Sequence, residues 1–354
     1  MKKSFVVFFL IFLGMMTTIL AESATQKKNL DFELLFNFES LSPKIQFVPV
    51  SNNFFFVDDS GTIYFCDFSN HRIAKYSSAG DFLGQIGRIG QGKDDLYFPV
   101  GVYLFQKRIY VLNNVGKEIK AFNQEGKCID GFEIKKSAST YSFFVTKDFI
   151  VTDTKYSDHK NYNRQKLITL FDHSGKKIRS FGDVVKCKTF LGHKEFNALH
   201  LGFDNNNIFG AFSNSPIIFK YSMKGKKIIR QNISELAITE IQGLIDRTIS
   251  EKMDTPLSIK ESNKLRFVGF SPGICIYGTE LLYSVNSKAS LLVFDTNGNL
   301  VENIGLIFRD NPIWLERLFI NKNNNLIYGI GILDKGKKKV FLKINLINNP
   351  NERG

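Results

Sequence analysis

The chain has 354 residues, of which 43% are apolar and 23% are charged, and its formal net charge is +13. This composition is typical of a globular protein and excludes a disordered or collagen-like chain. A single apolar run approaches membrane-spanning length, and it lies at the N-terminus, which excludes a polytopic membrane protein.

Residues 1–21 have the features of a signal peptide. Met1, Lys2 and Lys3 precede an uncharged run that ends at Leu20, and Ala21 offers a small residue for cleavage. An uncleaved N-terminal anchor is the alternative, because the run is only slightly shorter than the about 20 residues that a spanning helix needs. We therefore expect an extracytoplasmic protein, periplasmic or secreted, in which residues 22–29 form a linker.

Residues 30–38 predict a half-buried strand, since apolar side chains alternate there with mostly polar ones. Downstream, one hairpin pattern occurs five times: a β-type run ends in an aromatic residue, and a glycine follows four residues later. The aromatic and glycine pairs are Tyr76 and Gly80, Phe122 and Gly126, Phe171 and Gly175, Tyr221 and Gly225, and Phe294 and Gly298. Glycine supplies the positive φ that such a turn requires.

Two further strands precede each hairpin, for example over residues 62–66 and 108–112, and the first strand often follows a proline. These prolines are Pro43, Pro99, Pro272 and Pro312. Each unit then has four strands, a to d, which is typical of a propeller blade. The last unit has no strand d of its own, and residues 30–38 can supply it. We predict an all-β, six-bladed propeller over residues 30–347, closed by the N-terminal strand, with a tail over residues 348–354.

Residues 61–102 resemble an NHL repeat. The resemblance is carried by Gly61-Thr62-Ile63-Tyr64-Phe65-Cys66-Asp67, by Asn70-His71-Arg72-Ile73, and by the glycine-rich run from Gly87 to Gly92 before Phe98-Pro99. Asn113 and Asp153 match Asp67 in the next two units, whereas Phe212 and Val285 replace it later. The resemblance implies a six-bladed propeller, and it implies little about activity because such propellers serve many functions.

Two insertions are expected on one face, because the b–c and d–a connections of a four-stranded blade emerge together. The first lies between Asp153 and Lys166, and the second spans residues 234–271. Within the second, residues 235–252 have the apolar spacing of an amphipathic helix. This helix either packs on the propeller rim or covers the central opening and docks a partner. We call this end of the propeller the insertion face.

Charge also favours the insertion face, where the b–c connections carry eleven basic and five acidic side chains. A ring of cations can attract an anionic ligand, although lysine is also simply tolerated in solvated turns. The candidate binding residues are Arg72, Lys117, Lys155, Arg164, Lys288, Lys337, Lys338 and Lys339.

The sequence offers no catalytic constellation, and we predict no cofactor and no metal site. The five histidines have no metal-ligand spacing, and the four cysteines lie far apart, so their pairing stays open. We therefore predict a non-catalytic, monomeric binding or scaffolding module for a protein or anionic polymer of the cell envelope, without a nucleic-acid partner. The alternative is a metal-dependent lyase or lactone hydrolase with its site on the propeller axis.

Overall fold

The structure is a computed structural model that describes residues 31–46, 54–134, 138–140, 142–156, 162–186, 193, 197–204, 206–212, 217–232, 265–271, 274–279, 290–295, 297, 299–305, 307–308, 311–321, 326–333 and 338–345. The predicted signal peptide, linker, helix over residues 235–252 and C-terminal tail lie outside these ranges. Within them, no helix has the length and apolarity needed to cross a membrane.

The described chain consists of β-strands with three short 3-10 helices, at Phe38–Ser40, Phe68–Asn70 and Tyr162–Arg164. In chain order the strands are β1 (Asp31–Asn37), β2 (Phe55–Val57), β3 (Ile63–Asp67), β4 (Arg72–Tyr76), β5 (Phe82–Ile86), β6 (Gly101–Phe105), β7 (Arg108–Asn113), β8 (Glu118–Phe122), β9 (Cys128–Glu133), β10 (Ala138–Ser139), β11 (Phe143–Val145), β12 (Ile150–Asp153), β13 (Lys155–Tyr156), β14 (Lys166–Phe171), β15 (Lys177–Asp183), β16 (Leu199–Phe203), β17 (Asn207–Phe212), β18 (Ile217–Ser222), β19 (Lys227–Asn232), β20 (Leu265–Ser271), β21 (Ile274–Thr279), β22 (Ser290–Asp295), β23 (Leu300–Gly305), β24 (Ile307–Phe308), β25 (Asn311–Pro312), β26 (Trp314–Asn321), β27 (Leu326–Leu333) and β28 (Lys338–Asn345).

The strands form the four-stranded antiparallel blades of a propeller, as predicted. Five blades use strands in chain order: blade 1 is β2–β5, blade 2 is β6–β9, blade 3 is β11, β12, β14 and β15, blade 4 is β16–β19, and blade 5 is β20–β23. A further four-stranded sheet, the closing blade, has the order β1, β28, β27, β26. The inner strands of successive blades touch, and β26 also touches β2, so the described inner strands meet around a ring.

The closing blade combines the two ends of the described chain, because β1 pairs with β28 in antiparallel register. Phe36 lies opposite Phe341, and their rings stack with centroids 5.1 Å apart. On the exposed side of the pair, the Lys343 ammonium lies 2.9 Å from the Glu33 carboxylate. The prediction that the N-terminal strand supplies the missing outer strand is therefore confirmed.

The glycines of the predicted hairpins join neighbouring blades as well as turning the chain. Gly225 has φ +84°, and a Cβ on it would lie 3.0 Å from the Phe181 ring of the preceding blade. Gly175 faces Phe132 of blade 2 even more closely, and Gly80 faces Phe36 of the closing blade. A side chain at these positions would therefore separate two blades, which explains why the pattern keeps glycine there.

The sequence prediction was wrong about how two first strands begin. Blade 5 takes β20, which precedes Pro272, as its inner strand, and β21 follows as the second strand. Pro43 likewise lies well before β2. A proline can begin a strand, but Pro272-Gly273 is also a dipeptide typical of turns between strands. Strand propensity alone could not separate the two interpretations.

Candidate functional site

Hydrogen bonds join the b–c connections of blades 1 to 3 to the d–a connections, so the two kinds of connection meet at one end of these blades, as the strand order predicts. The range predicted for the second insertion, residues 234–271, was too long, because β20 occupies Leu265–Ser271, and residues 234–264 lie outside the described ones. At the end of the second strand of each blade, Asp67, Asn113 and Asp153 accept a hydrogen bond from the connection that enters the same blade. The donors are the backbone N–H groups of Gln46, Tyr97 and Ser142, at 2.8, 2.8 and 2.9 Å. The polar residue that recurs at the end of the second strand therefore joins the b–c connection of a blade to the d–a connection that enters the same blade.

Asp67 is fully buried and organises the first of these connections. Its carboxylate also accepts hydrogen bonds from the Asn70 amide at 2.9 Å and from the Arg72 guanidinium at 2.7 Å. Burial of a carboxylate is tolerated when charge-assisted hydrogen bonds replace its water. Arg72 therefore has a structural role, and its guanidinium also contacts the Gln85 side chain at 2.8 Å and the face of the Phe82 ring.

The junction between blades 1 and 2 is built around His71. Its Nδ1 accepts a hydrogen bond from the backbone N–H of Phe98 at 3.0 Å, which assigns the proton of the neutral ring to Nε2. The imidazole stacks on the Tyr97 ring at 5.2 Å and packs on Phe98 at 4.3 Å, and Phe68 packs on Phe98 at 4.7 Å. Aromatic side chains from two blades thus form one surface.

The backbone at this junction is strained. Four of the six non-glycine residues with positive φ in the described chain lie here, namely His71, Phe98, Asn114 and Val115. A β-branched residue such as Val115, at φ +54°, is an outlier in that region. The Asn114 and Val115 N–H groups donate to the carbonyls of Tyr97 and Phe98 at 2.8 and 3.2 Å. Strain of this kind persists only where surrounding contacts hold it, and it concentrates at functional sites.

The next part of the insertion face joins blade 3 to blade 4. The inserted segment of blade 3 contains β13, which pairs with β10, and the 3-10 helix that begins at Tyr162. The Tyr162 ring packs on His193 from the following d–a connection, with centroids 5.1 Å apart. Asn197 contacts His193 Nδ1 at 3.2 Å and pairs with the Val185 backbone at 2.7 and 2.9 Å. Burial lowers the pKa of His193 to about 4.

The predicted cationic residues are distributed around the insertion face and do not converge on one site. Lys117 is exposed at the start of blade 2's third strand, Arg164 is exposed in the blade 3 insertion, and Lys338 is exposed beside half-buried Lys339 in the closing blade. Arg72 is enclosed by its own partners, as described above. Lys288, Lys337 and the side chain of Lys155 lie outside the described residues.

Sequence reasoning missed two exposed apolar residues on this face. Ile89 and Tyr97, in the connection between blades 1 and 2, keep 65% and 47% of their surface exposed. An isolated parallel bridge pairs Ile89 with Leu96, the residue before Tyr97, so the two exposed residues lie on neighbouring segments of the same connection. The only signal in the sequence was an isoleucine within a glycine-rich run, a pattern that also suits a buried position.

Acidic residues in the loops of blades 1 and 2 stabilise the local backbone by accepting hydrogen bonds from N–H groups. Asp58 accepts from Ser60 and Thr62 N–H groups at 3.0 and 2.9 Å, and Asp94 accepts from the Cys128 N–H at 2.8 Å. The Lys120 ammonium contacts the Asp95 carbonyl oxygen at 2.8 Å, inside the same loop. Across the described part of the chain, no three His, Cys, Asp or Glu side chains are grouped so as to hold a metal ion.

Aromatic side chains of the described inner strands pack against one another between neighbouring blades. Phe56 of blade 1 contacts Tyr103 of blade 2 at 5.2 Å and Phe319 of the closing blade at 4.6 Å. Burial raises the pKa of the Tyr103 phenol, which keeps that hydroxyl protonated. Cys66 and Cys128 are buried free thiols, and burial raises the pKa of both, which keeps them unreactive.

On the opposite face, Tyr110 and Asp130 of blade 2 and His173 of blade 3 line a shallow cleft between the two blades. His173 lies there, with Nε2 at 3.1 Å from the Thr146 carbonyl oxygen and Nδ1 at 3.5 Å from the Tyr110 hydroxyl. These contacts tie the turn of blade 3 to blade 2 across the cleft. The histidine therefore holds two blades together.

No family model matches the chain, and no curated protein matches it by sequence. Solved structures do share its fold. A Bacteroides fragilis protein whose name describes it as exported has a TM-score of 0.55 at 12% identity, over 89% of this chain and 94% of its own. A member of the DUF4221 family from Bacteroides vulgatus has a TM-score of 0.52 at 11% identity, over 89% of this chain and 98% of its own. At these identities the likeness shows the fold alone: this chain is a β-propeller of four-stranded antiparallel blades.

Proposed function

We propose that the protein is an exported, NHL-like, six-bladed propeller that acts as a non-catalytic binding or scaffolding module of the cell envelope. Its partner is a protein or an anionic polymer, held on the insertion face. The charged N-terminus followed by an apolar run supports export, and so does the like-folded Bacteroides fragilis protein whose name describes it as exported. The module works as an extracytoplasmic monomer and needs no cofactor.

Two observations support the six-bladed NHL-like form. The five blades of consecutive strands are completed by the closing blade, whose outer strand β1 comes from the N-terminal end. The Asp67 and His71 positions quoted for the repeat have defined tasks, because each accepts a hydrogen bond from a d–a connection. A closed ring removes the exposed strand edges that an open stack of blades would leave.

The observation that carries the proposed binding role is the rigidity of the insertion face. Buried or strained residues of blades 1 to 3 fix the b–c connections to the d–a connections through hydrogen bonds of 2.8 to 3.0 Å. A preorganised surface loses little conformational entropy when a partner binds, which favours affinity. The exposed cations Lys117 and Arg164 lie in the b–c connections of blades 2 and 3, and Lys338 is exposed at the start of β28 in the closing blade.

The test reverses three charges on each face. The variant Lys337→Glu/Lys338→Glu/Lys339→Glu changes the insertion face, and Lys224→Glu/Lys226→Glu/Lys227→Glu changes a turn of blade 4 on the opposite face. Both variants shift the net charge equally, so a difference between them reports position. Binding to immobilised poly-L-glutamate and to an envelope fraction of the producing organism is measured at low and moderate salt.

We expect the insertion-face variant to lose binding by about tenfold or more, because interactions between exposed charges act within a Debye length. The opposite-face variant should bind like the unchanged protein, and both should keep the same melting temperature. Equal binding by the two variants, or equal loss in both, would remove the proposed role of the insertion-face cations.

A further inference from the structure

We propose that the outer hairpins of blades 3 and 4 form a docking surface for an anionic lipid bilayer. This surface lies on the opposite face, which carries the a–b and c–d turns. It consists of residues 176–179 of blade 3 and 224–228 of blade 4, which we call the hairpin surface. The inference goes beyond the proposed function, because it uses the other end of the propeller and does not depend on what the insertion face binds.

The two hairpins have the same sequence at the same structural position. Residues 175–178 and 225–228 both read Gly-Lys-Lys-Ile, and both run from the turn into the outer strand. In each blade the isoleucine is the extra residue of a β-bulge, and Ile178 and Ile228 keep 40% and 48% of their surface exposed. Lysines beside an exposed aliphatic side chain suit the boundary of a bilayer, where the aliphatic group passes the headgroups and the cations meet the phosphates.

The two hairpins pack on each other and so form one surface. The Arg179 guanidinium of blade 3 donates a hydrogen bond to the Lys224 carbonyl oxygen of blade 4 at 2.9 Å. The Phe181 ring of blade 3 packs on Tyr221 of blade 4, with centroids 5.6 Å apart, and Gly225 lies against the same ring. The exposed lysines and isoleucines of the two blades therefore lie on neighbouring hairpins that are packed together.

Positive charge is concentrated on these two hairpins. Residues 171–180 and 221–230 together carry seven basic side chains and one acidic side chain. The acidic one, Asp172, is used within its own turn, where it accepts hydrogen bonds from the Ser174 hydroxyl at 2.6 Å and from the Lys176 N–H at 2.9 Å. The hairpin surface therefore has an excess of cations available to an anionic partner.

The neighbouring turns of the same face do not cancel this excess. The a–b turns and c–d hairpins of blades 2 to 5 together carry eleven basic and seven acidic side chains, over residues 106–108, 122–131, 146–149, 171–180, 204–206, 221–230, 272–273 and 294–303. The corresponding residues of blade 1, 58–61 and 76–85, carry three aspartates and no basic side chain. An anionic surface is therefore attracted to blades 3 and 4 and repelled by blade 1.

The exposed isoleucines favour a bilayer over a soluble polyanion. A polyanion contacts the cations, whereas binding to a bilayer strengthens with the apolar area that enters it as well as with the attraction to anionic lipids. Blades 1 and 2 offer a matched control. Leu83 and Ile129 occupy the equivalent bulge position and are 53% and 42% exposed, but no pair of lysines precedes them.

The test measures sedimentation of the mature protein, which lacks the apolar run of residues 1–21, with vesicles of phosphatidylcholine alone and with vesicles that also contain phosphatidylglycerol. Binding to poly-L-glutamate is measured in parallel, and the envelope fraction used for the insertion face is cleared of membranes. The apolar change and its control are Ile178→Ser/Ile228→Ser and Leu83→Ser/Ile129→Ser. The charge change and its control are Lys224→Glu/Lys226→Glu/Lys227→Glu and Lys337→Glu/Lys338→Glu/Lys339→Glu.

We expect the unchanged protein to bind only the vesicles that contain phosphatidylglycerol. The isoleucine variant should bind them about tenfold more weakly, because two half-exposed aliphatic side chains no longer enter the bilayer. The blade 4 charge reversal should weaken binding by about tenfold or more. Both controls should bind the vesicles like the unchanged protein, and all variants should keep its melting temperature, since the substituted side chains are exposed or lie in turns.

The inference is overturned if the anionic vesicles do not bind, if phosphatidylcholine vesicles bind equally well, or if a control loses as much binding as its matched variant. Undiminished vesicle binding by either blade 3–4 variant would overturn it too. Loss of poly-L-glutamate binding in the blade 4 variant would mean that the hairpin surface takes any polyanion, which also contradicts it. Poly-L-glutamate binding that is lost only in the insertion-face variant supports the proposed function whatever the vesicles show, so the two proposals fail separately.

Discussion

On the insertion face of blades 1 to 3, one buried polar residue per blade holds two connections together. Asp67, Asn113 and Asp153 occupy equivalent places in three blades, and each uses one side-chain oxygen to fix a neighbouring backbone N–H. The sequence showed the repeat of this position but not its purpose, because the partner lies 11 to 21 residues away along the chain. Arg72 was assigned to ligand binding for the same reason: its carboxylate partner becomes apparent only in three dimensions.

His193 should make the stability of the protein depend on pH, because burial lowers the pKa of its imidazole from the ordinary 6.5 to about 4. The unfolded chain therefore binds the proton more readily than the folded one between pH 6.5 and 4. The free energy of unfolding should fall as the pH falls through that window, by up to about 3 kcal/mol, and the contribution of this group is constant above it.

The measurement is urea unfolding at pH 7.5, 6, 5 and 4.5 for the unchanged protein, His193→Gln and the control His173→Gln. We expect His193→Gln to have a weaker pH dependence than the other two, since it has no imidazole to protonate. Parallel pH profiles for all three proteins would show that His193 does not titrate in this range on unfolding.

At the scale of elements, the hairpin was predictable because its signal is local. An aromatic residue, a β-bulge and a glycine recur, and the bulge falls at the aromatic in blades 1 to 5. The residue after the aromatic is also polar in blades 1 to 4, and its side chain stabilises the turn. Ser77, Asn123, Asp172 and Ser222 each accept the N–H four residues later, at 2.8 to 3.1 Å. By contrast, the strands of blade 5 were misplaced because the proline signal suits a turn and a strand start equally.

The inter-blade contact of the hairpin glycines leads to a matched pair of substitutions. Gly175→Ala places a Cβ against the Phe132 ring at φ +85°, whereas Gly61→Ala meets no atom within 4 Å at φ +83°. Both substitutions incur the strain of a positive φ, of order 1 kcal/mol. We expect Gly175→Ala to cost about 1–3 kcal/mol more than Gly61→Ala, because only the former separates two blades.

Thermal and urea unfolding of the two alanine variants measure this difference directly. Equal destabilisation would mean that Phe132 moves aside freely, and the proposed role of the hairpin glycine in spacing the blades would then be wrong.

At the scale of the whole molecule, ring closure depends on β1, a strand far from its partners in sequence. Phe36 is almost fully buried between the Phe341 ring and the Gly80 turn of blade 1, whereas Leu34 on the same strand is 39% exposed. We expect Phe36→Ala to reduce the free energy of unfolding by about 3–5 kcal/mol, as for a large core residue. Leu34→Ala should cost less than about 1 kcal/mol.

Urea unfolding of both variants tests the closure. A small loss in Phe36→Ala, similar to that of Leu34→Ala, would show that the N-terminal strand contributes little to the stability of the ring. Closure of the ring by β1 was predictable from the sequence. The last unit lacked a fourth strand, and the N-terminal end offered an alternating strand that belonged to no other unit. Exposure of Ile89 and Tyr97 was not predictable, because it depends on the path of a connection between two blades.

The proposed function requires this propeller to bind a macromolecule and not to catalyse a reaction at a metal. Native mass spectrometry of the mature protein, isolated from the envelope of its own host, tests that claim most directly. We expect a co-purifying protein or polymer and no stoichiometric divalent metal. A stoichiometric metal ion without a macromolecular partner would contradict the proposed function and favour a lyase or lactone hydrolase with its site on the axis.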